Sequence, residues 1–90
     1  MLKIKYHSSF KSDYKRIKKR GYDTDLLKEV IIMLSEEKKL PEAYCDHNLT
    51  GNFKGFRECH ITPDWLLVYK TDKKELILYL TRTGTHSDIF

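Results

Sequence analysis

Three of the four histidines in this 90-residue chain, His47, His60 and His86, lie in its C-terminal half at loops or strand ends, within reach of Asp64 and Arg82. Those residue types suit the cutting of RNA by its own 2′-hydroxyl. The reaction needs a base to take the hydroxyl proton, a cation to stabilise charge on the phosphorus centre, and an acid for the leaving 5′-oxygen. Imidazole can do either proton job near neutral pH, because its unperturbed pKa is roughly 6.5. Any one histidine taken alone reads more simply as a surface residue or a satisfied polar group. The set has meaning only where folding gathers it.

Two other chemistries use the same residue types and are less well supported. Imidazole and carboxylate are zinc ligands, but the chain has no tight H-x-x-x-H or C-x-x-C pair, and Cys45 and Cys59 do not group with the histidines. Nothing marks either cysteine as an activated nucleophile. No metal and no cofactor is therefore expected.

The elements that would position these groups can be read from periodicity. Leu2, Ile4 and Tyr6 alternate with Lys3, Lys5 and His7, as in a strand with one buried face. Ser8 and Ser9 offer caps for a helix in which Phe10, Tyr14 and Ile17 form one apolar stripe, with Gly21 as its stop. Asp23 can cap a second helix carrying Leu27, Val30, Ile31 and Leu34, which must end before Pro41. After a polar, irregular stretch the pattern becomes three strands, at about 54–61, 65–71 and 75–83. The turns between them are too short for crossover helices, so they form an antiparallel meander. The fold class is α+β in the order β-α-α-β-β-β, an antiparallel twisted sheet with two N-terminal helices on one face and a short C-terminal tail. Such a meander can bring the His60 end of one strand, the Asp64 turn and the Arg82 end of another to a common region.

The first helix is also the most basic segment. Lys11, Lys15, Arg16, Lys18, Lys19 and Arg20 put six cations in ten residues, within a chain of net charge +4. A solvated face is the ordinary reading of such a run, but this density exceeds what solubility requires and favours a polyanionic partner, either RNA or an acidic protein segment. Trp65, at the start of an apolar strand, reads as a core or rim residue before a base-stacking one. Phe90, the last residue, has less structural reason to be aromatic.

Composition sets the outer limits. With 40% hydrophobic and 33% charged residues the chain is an ordinary globule, and with no repeat or linker it is expected to be one domain spanning 1–90. Its longest apolar runs are five residues, which excludes a signal peptide or membrane span. Two cysteines without a scaffold pattern fit a reducing compartment, so a cytoplasmic location is expected.

Three stretches together resemble a known family: D-H-x-L-x-G at Asp46–Gly51, F-R-E-C-H-I-x-P-D-W-L-L-V-Y at Phe56–Tyr69 and R-T-G-T-H at Arg82–His86. In order, spacing and final aromatic they are similar to YafQ-type toxins of the RelE and ParE superfamily, over nearly the whole chain. The resemblance implies a ribosome-dependent endoribonuclease, an mRNA interferase that cuts translated messages without a metal. It implies a small DinJ-like antitoxin with an acidic segment as partner, and operator DNA only through the toxin-antitoxin complex. It carries an active-site set onto His47, His60, Asp64, Arg82, His86 and Phe90, with Trp65 as a neighbouring substrate contact. Within that set His86 is expected as general acid, His60 or His47 with Asp64 as base, Arg82 as phosphate stabiliser and Phe90 as a base-positioning ring. The basic helix would then meet ribosomal RNA or the antitoxin. The leading alternative is a ParE-like, non-nucleolytic toxin acting on DNA gyrase, which has no chemical need for the histidine, aspartate and arginine set; a non-catalytic binding module is the third reading.

Overall fold

The computed structural model describes all 90 residues. Strand β1 (Lys3–Tyr6) leads into helices α1 (Ser8–Lys19) and α2 (Thr24–Ser35). A two-residue strand β2 (His47–Asn48) follows, then β3 (Arg57–Thr62), β4 (Trp65–Asp72), β5 (Ile77–Gly84) and a last short helix α3 (His86–Ile89). The sheet order is β1-β5-β4-β3-β2. The three-strand meander is antiparallel as expected, but β1 lies parallel to β5, which makes the sheet mixed. The helical excursion between β1 and the meander is long enough to return the chain in the same direction. Neither β2 nor α3 is marked in the sequence by a periodic pattern, since two and four residues are too few to show one.

Helices α1 and α2 cover one face of the sheet. Phe10, Ile17, Leu27, Val30 and Leu34 pack on Cys59, Ile61, Trp65, Leu67, Tyr69, Leu78 and Leu80. A second, smaller cluster forms on the opposite face, where Leu66, Val68 and Ile89 meet Leu49, Phe53 and Phe56. The apolar strands β4 and β5 are thus buried from both sides, which explains why they read as continuous hydrophobic runs rather than as alternating ones. No helix is long and apolar enough to cross a membrane.

Of three local expectations, two hold and one does not. The stop at Gly21 holds, with φ +81°, and Asp23 caps α2 by accepting from the Asp25 amide at 3.0 Å. Ser8 and Ser9 do not cap α1. Its N-cap is His7, without a side-chain bond, and the Ser9 hydroxyl donates instead to the Thr81 carbonyl at 2.8 Å. The cause is the edge of β5. Strand β1 stops pairing at Tyr6, opposite Leu80, so the backbone groups of β5 beyond that point need other partners. Helix α1 runs alongside and supplies them: Ser9 takes the Thr81 carbonyl, and the buried carboxylate of Asp13 accepts from the Thr83 amide at 3.1 Å.

The two cysteines fall in opposite environments. Cys45 is exposed, whereas Cys59 is fully buried, and burial, then the charges of Asp46 and Glu58, push its thiol up to about 12. Only the thiolate reacts quickly with alkylating reagents. At neutral pH such a reagent should modify Cys45 and leave Cys59 intact until denaturant is added. Mass spectrometry of the two peptides tests this, and equal labelling in the native protein would contradict it.

Candidate active site

The side of the sheet away from α1 and α2 carries the polar residues of interest, and strand register decides their grouping. His47 on β2 pairs with Glu58 on β3, Glu58 with Val68 on β4, and Val68 with Arg82 on β5. One row across the sheet therefore reads His47, Glu58, Val68, Arg82, and the next reads His60, Leu66, Gly84. Arg82 reaches this face through an irregularity. The register shifts between Val68 and Tyr69, which face Arg82 and Leu80, so Thr81 is an extra residue in β5. Simple alternation would leave Arg82 on the same side as Leu78 and Leu80, in the helix-covered core. The bulge turns it to the other side.

His47 and His60 share one carboxylate. The His47 Nε2 is 3.6 Å and the His60 Nε2 3.7 Å from the same Oε1 of Glu58, whose side chain is only 8% exposed. The two rings are 6.5 Å apart, centroid to centroid. Each Nδ1 faces a backbone carbonyl, Cys45 O at 2.7 Å for His47 and Pro63 O at 3.2 Å for His60. A carbonyl can only accept, so each Nδ1 carries a hydrogen and each Nε2 is the atom that exchanges protons. Glu58 is a site residue that sequence reasoning did not single out. An acid on a strand normally points to solvent, and only the register with β2 places this one between two imidazoles.

Beside this pair opens a cleft of about 590 Å³, lined by His60, Asp64, Leu66, Thr85, His86 and Ser87 with Tyr22 and Pro63. His60, Asp64 and His86 are thereby brought together. Phe90 packs against His86 with the rings tilted by 38° and their centroids 4.9 Å apart, and meets Phe53 at 5.1 Å. Arg82 shares the face but does not line the cleft. Its Nε donates to Asp13 Oδ2 at 2.6 Å and its Nη2 to Asp13 Oδ1 at 3.2 Å and to the Asp88 carbonyl at 3.1 Å. The Asp13 hydrogen bond raises the guanidinium's pKa above its ordinary value, and Nη1 makes no hydrogen bond within the chain.

Trp65 is buried. It is 3% exposed, donates from its indole nitrogen to the Thr83 hydroxyl at 2.9 Å and packs edge-on against Tyr22. Its ring belongs to the core, as its position in an apolar strand implied. The basic helix also divides. Lys11, Lys15, Lys18 and Lys19 have no acidic partner, whereas Arg16 pairs with Asp13 and Arg20 with Asp88.

Residues 2–90 match the model of the family described as bacterial toxin of type II toxin-antitoxin system, YafQ. The chain belongs to the YafQ toxin family. It is 40% identical over 89 residues to the mRNA interferase toxin YafQ of Escherichia coli (strain K12), a match that covers 97% of this chain and 94% of that protein. Among solved YafQ-like folds, a metal-bound toxin from Helicobacter pylori superposes with a TM-score of 0.94 at 46% identity, covering all of both chains. The YafQ chain of the E. coli DinJ-YafQ complex superposes with a TM-score of 0.90 at 37% identity, covering 100% of this chain and 99% of that one. The YafQ motifs and the geometry coincide: the D-H-x-L-x-G, H-I-x-P-D and R-T-G-T-H stretches supply the histidines described above.

Proposed function

We propose that this chain is the toxin of a type II toxin-antitoxin module and an mRNA interferase, an endoribonuclease that cuts messages during translation and so stops protein synthesis. The observation that carries the reading is the shared cleft of His60, Asp64 and His86, flanked by the His47–Glu58–His60 contact. Two separate groups able to move protons at one open surface are what cleavage through the 2′-hydroxyl requires.

The division of labour follows from the surroundings of each ring. His60 and His47 both present Nε2 toward Glu58, and His60 also lines the cleft. His60, or His47 beside it, acts as the base together with Asp64 of the cleft. His86, at the start of α3, lines the same cleft and acts as the acid for the leaving oxygen. Arg82, held through two of its nitrogens, offers Nη1 to the phosphate, and Phe90 offers a ring on which a base can stack. The chemistry is metal-independent in this scheme.

The partner in the resting cell is a small DinJ-like antitoxin, and the working partners are the ribosome and its message. Lys15, Lys18 and Lys19 crowd one side of α1 around a shallow depression, a surface suited to phosphate contacts that add affinity without reading sequence. Reversing the charge of these three lysines should weaken ribosome association and flatten its salt dependence by about 0.7 to 0.9 logarithmic units for each phosphate no longer engaged. An unchanged slope in titrations at several salt concentrations would remove this surface from the scheme.

Primer-extension mapping of a translated message tests the function directly. Cuts that require the purified protein and a translating ribosome are the expected result. A message left intact both on ribosomes and free in solution would end the nuclease reading and favour action by binding alone.

A further inference from the structure

We infer that Arg20, at the end of the basic helix, is a positioning residue that clamps the C-terminal helix so that His86 and Phe90 face the cleft. The inference rests on the assignment of His86 and Phe90 given above. Arg20 makes a two-pronged contact with Asp88, Nη1 to Oδ2 at 2.6 Å and Nη2 to Oδ1 at 3.0 Å, across 68 residues of sequence. A paired contact of this kind fixes direction as well as distance, which a lysine cannot do.

Asp88 lies between the two residues that matter. A helix of four residues has almost no stability of its own, so α3 depends on what holds it. Inside the helix, Asp88 Oδ2 accepts from the Thr85 amide at 2.9 Å while the Thr85 hydroxyl accepts from the Asp88 amide at 3.2 Å, a reciprocal cap at the turn that carries His86. Outside it, the same carboxylate takes Arg20, and the Asp88 carbonyl takes Arg82 Nη2 at 3.1 Å. Space for the carboxylate comes from Gly84, whose φ is +146° and where a Cβ would meet Asp88 Oδ2 at 2.8 Å. The Asp88 side chain is only 14% exposed, and both of its carboxylate oxygens bond within this chain.

Helix α1 thus holds the active face at two points seven residues apart on one side of the helix. Asp13 grips Arg82, and Arg20 grips Asp88. Arg20 stands among cations that suit ribosomal RNA, yet its guanidinium is directed at the protein's own C-terminus. Its contribution is to geometry, and displacing a catalytic group by about 1 Å can cost on the order of 100-fold in rate.

The experiment uses the full chain with Arg20→Met, Arg20→Lys and Asp88→Asn, the asparagine keeping an oxygen for the Thr85 cap, and His86→Ala as reference. Thermal melts establish that each variant is folded. Arg20→Met and Asp88→Asn should each lower the single-turnover cleavage rate at saturating ribosomes about 10- to 100-fold with little change in ribosome affinity. The double variant should be no worse than either single one, since both break the same contact. Arg20→Lys should recover part of the rate. In the ribosome-free protein, NMR signals of the His86 and Phe90 rings should move toward those of a mobile chain end in Arg20→Met. Unchanged ring signals and an unchanged saturating rate, alongside a collapsed rate in His86→Ala, would overturn the inference. Full activity in His86→Ala would instead remove the role of His86, and the ring signals alone would then decide whether the clamp exists.

Discussion

His86→Ala should lower the rate of message cleavage on programmed ribosomes by about 100- to 10,000-fold, the range that a positioned general acid or base supplies. The loss should fall on the chemical step. His86 is exposed on the wall of the cleft, and its ring packs on the half-exposed Phe90 rather than on the core, so its removal leaves the core untouched. Binding to ribosomes should be close to wild type, and a chain that still binds but no longer cuts should accumulate on them. Single-turnover rates and ribosome-binding measurements on the same variant separate the two effects. A variant with wild-type rates would place the acid elsewhere.

Arg82→Ala should combine a loss of rate with a loss of stability. Removing a cation aimed at developing charge costs on the order of 100- to 1,000-fold. Here it also takes from the buried Asp13 carboxylate its bonds at 2.6 and 3.2 Å, leaving the Thr83 amide and Arg16 as its partners. Taking two charged hydrogen bonds from a buried acceptor costs about 1 to 3 kcal/mol, visible as a lower denaturation midpoint in urea. Arg82→Lys should separate the two effects. It keeps a positive charge near Asp13 and so recovers part of the stability, but it cannot bond Asp13 and reach substrate at once, so its rate should stay low. Equal recovery of both quantities would mean that Arg82 acts only as a structural ion.

The two helices and the three-strand meander were legible because their patterns are long enough to show a period, and the Asp23 cap and Gly21 stop carry their own local chemistry. What escaped the sequence was what only register creates. Glu58 is one acid among thirteen acidic residues until β2 pairs with β3. Arg82 lies on the histidine-bearing face of the sheet because Thr81 is an extra residue in its strand, and a bulge leaves no mark in hydrophobic alternation. Asp13, one polar residue in a polar helix, is buried because β1 ends early and α1 must satisfy the β5 edge. The histidines were recognisable as a set by motif, but their pairing on a shared carboxylate was not. The basic helix was legible as charge, whereas the separate use of Arg16 and Arg20 needed their partners to be seen.

The way α1 borders the sheet also bears on how this small protein behaves when concentrated. A bare strand edge is a template on which another molecule can add its own strand, the first step toward aggregates. Here the stretch of β5 beyond Leu80 is occupied by Ser9 and Asp13 of the same chain. The outermost strands are short, four residues bearing Lys3 and Lys5 on one side and two residues on the other. The β5 edge beyond Leu80 is thus closed to a strand from another molecule, and an incoming chain would meet only short outer strands, one of them flanked by lysines.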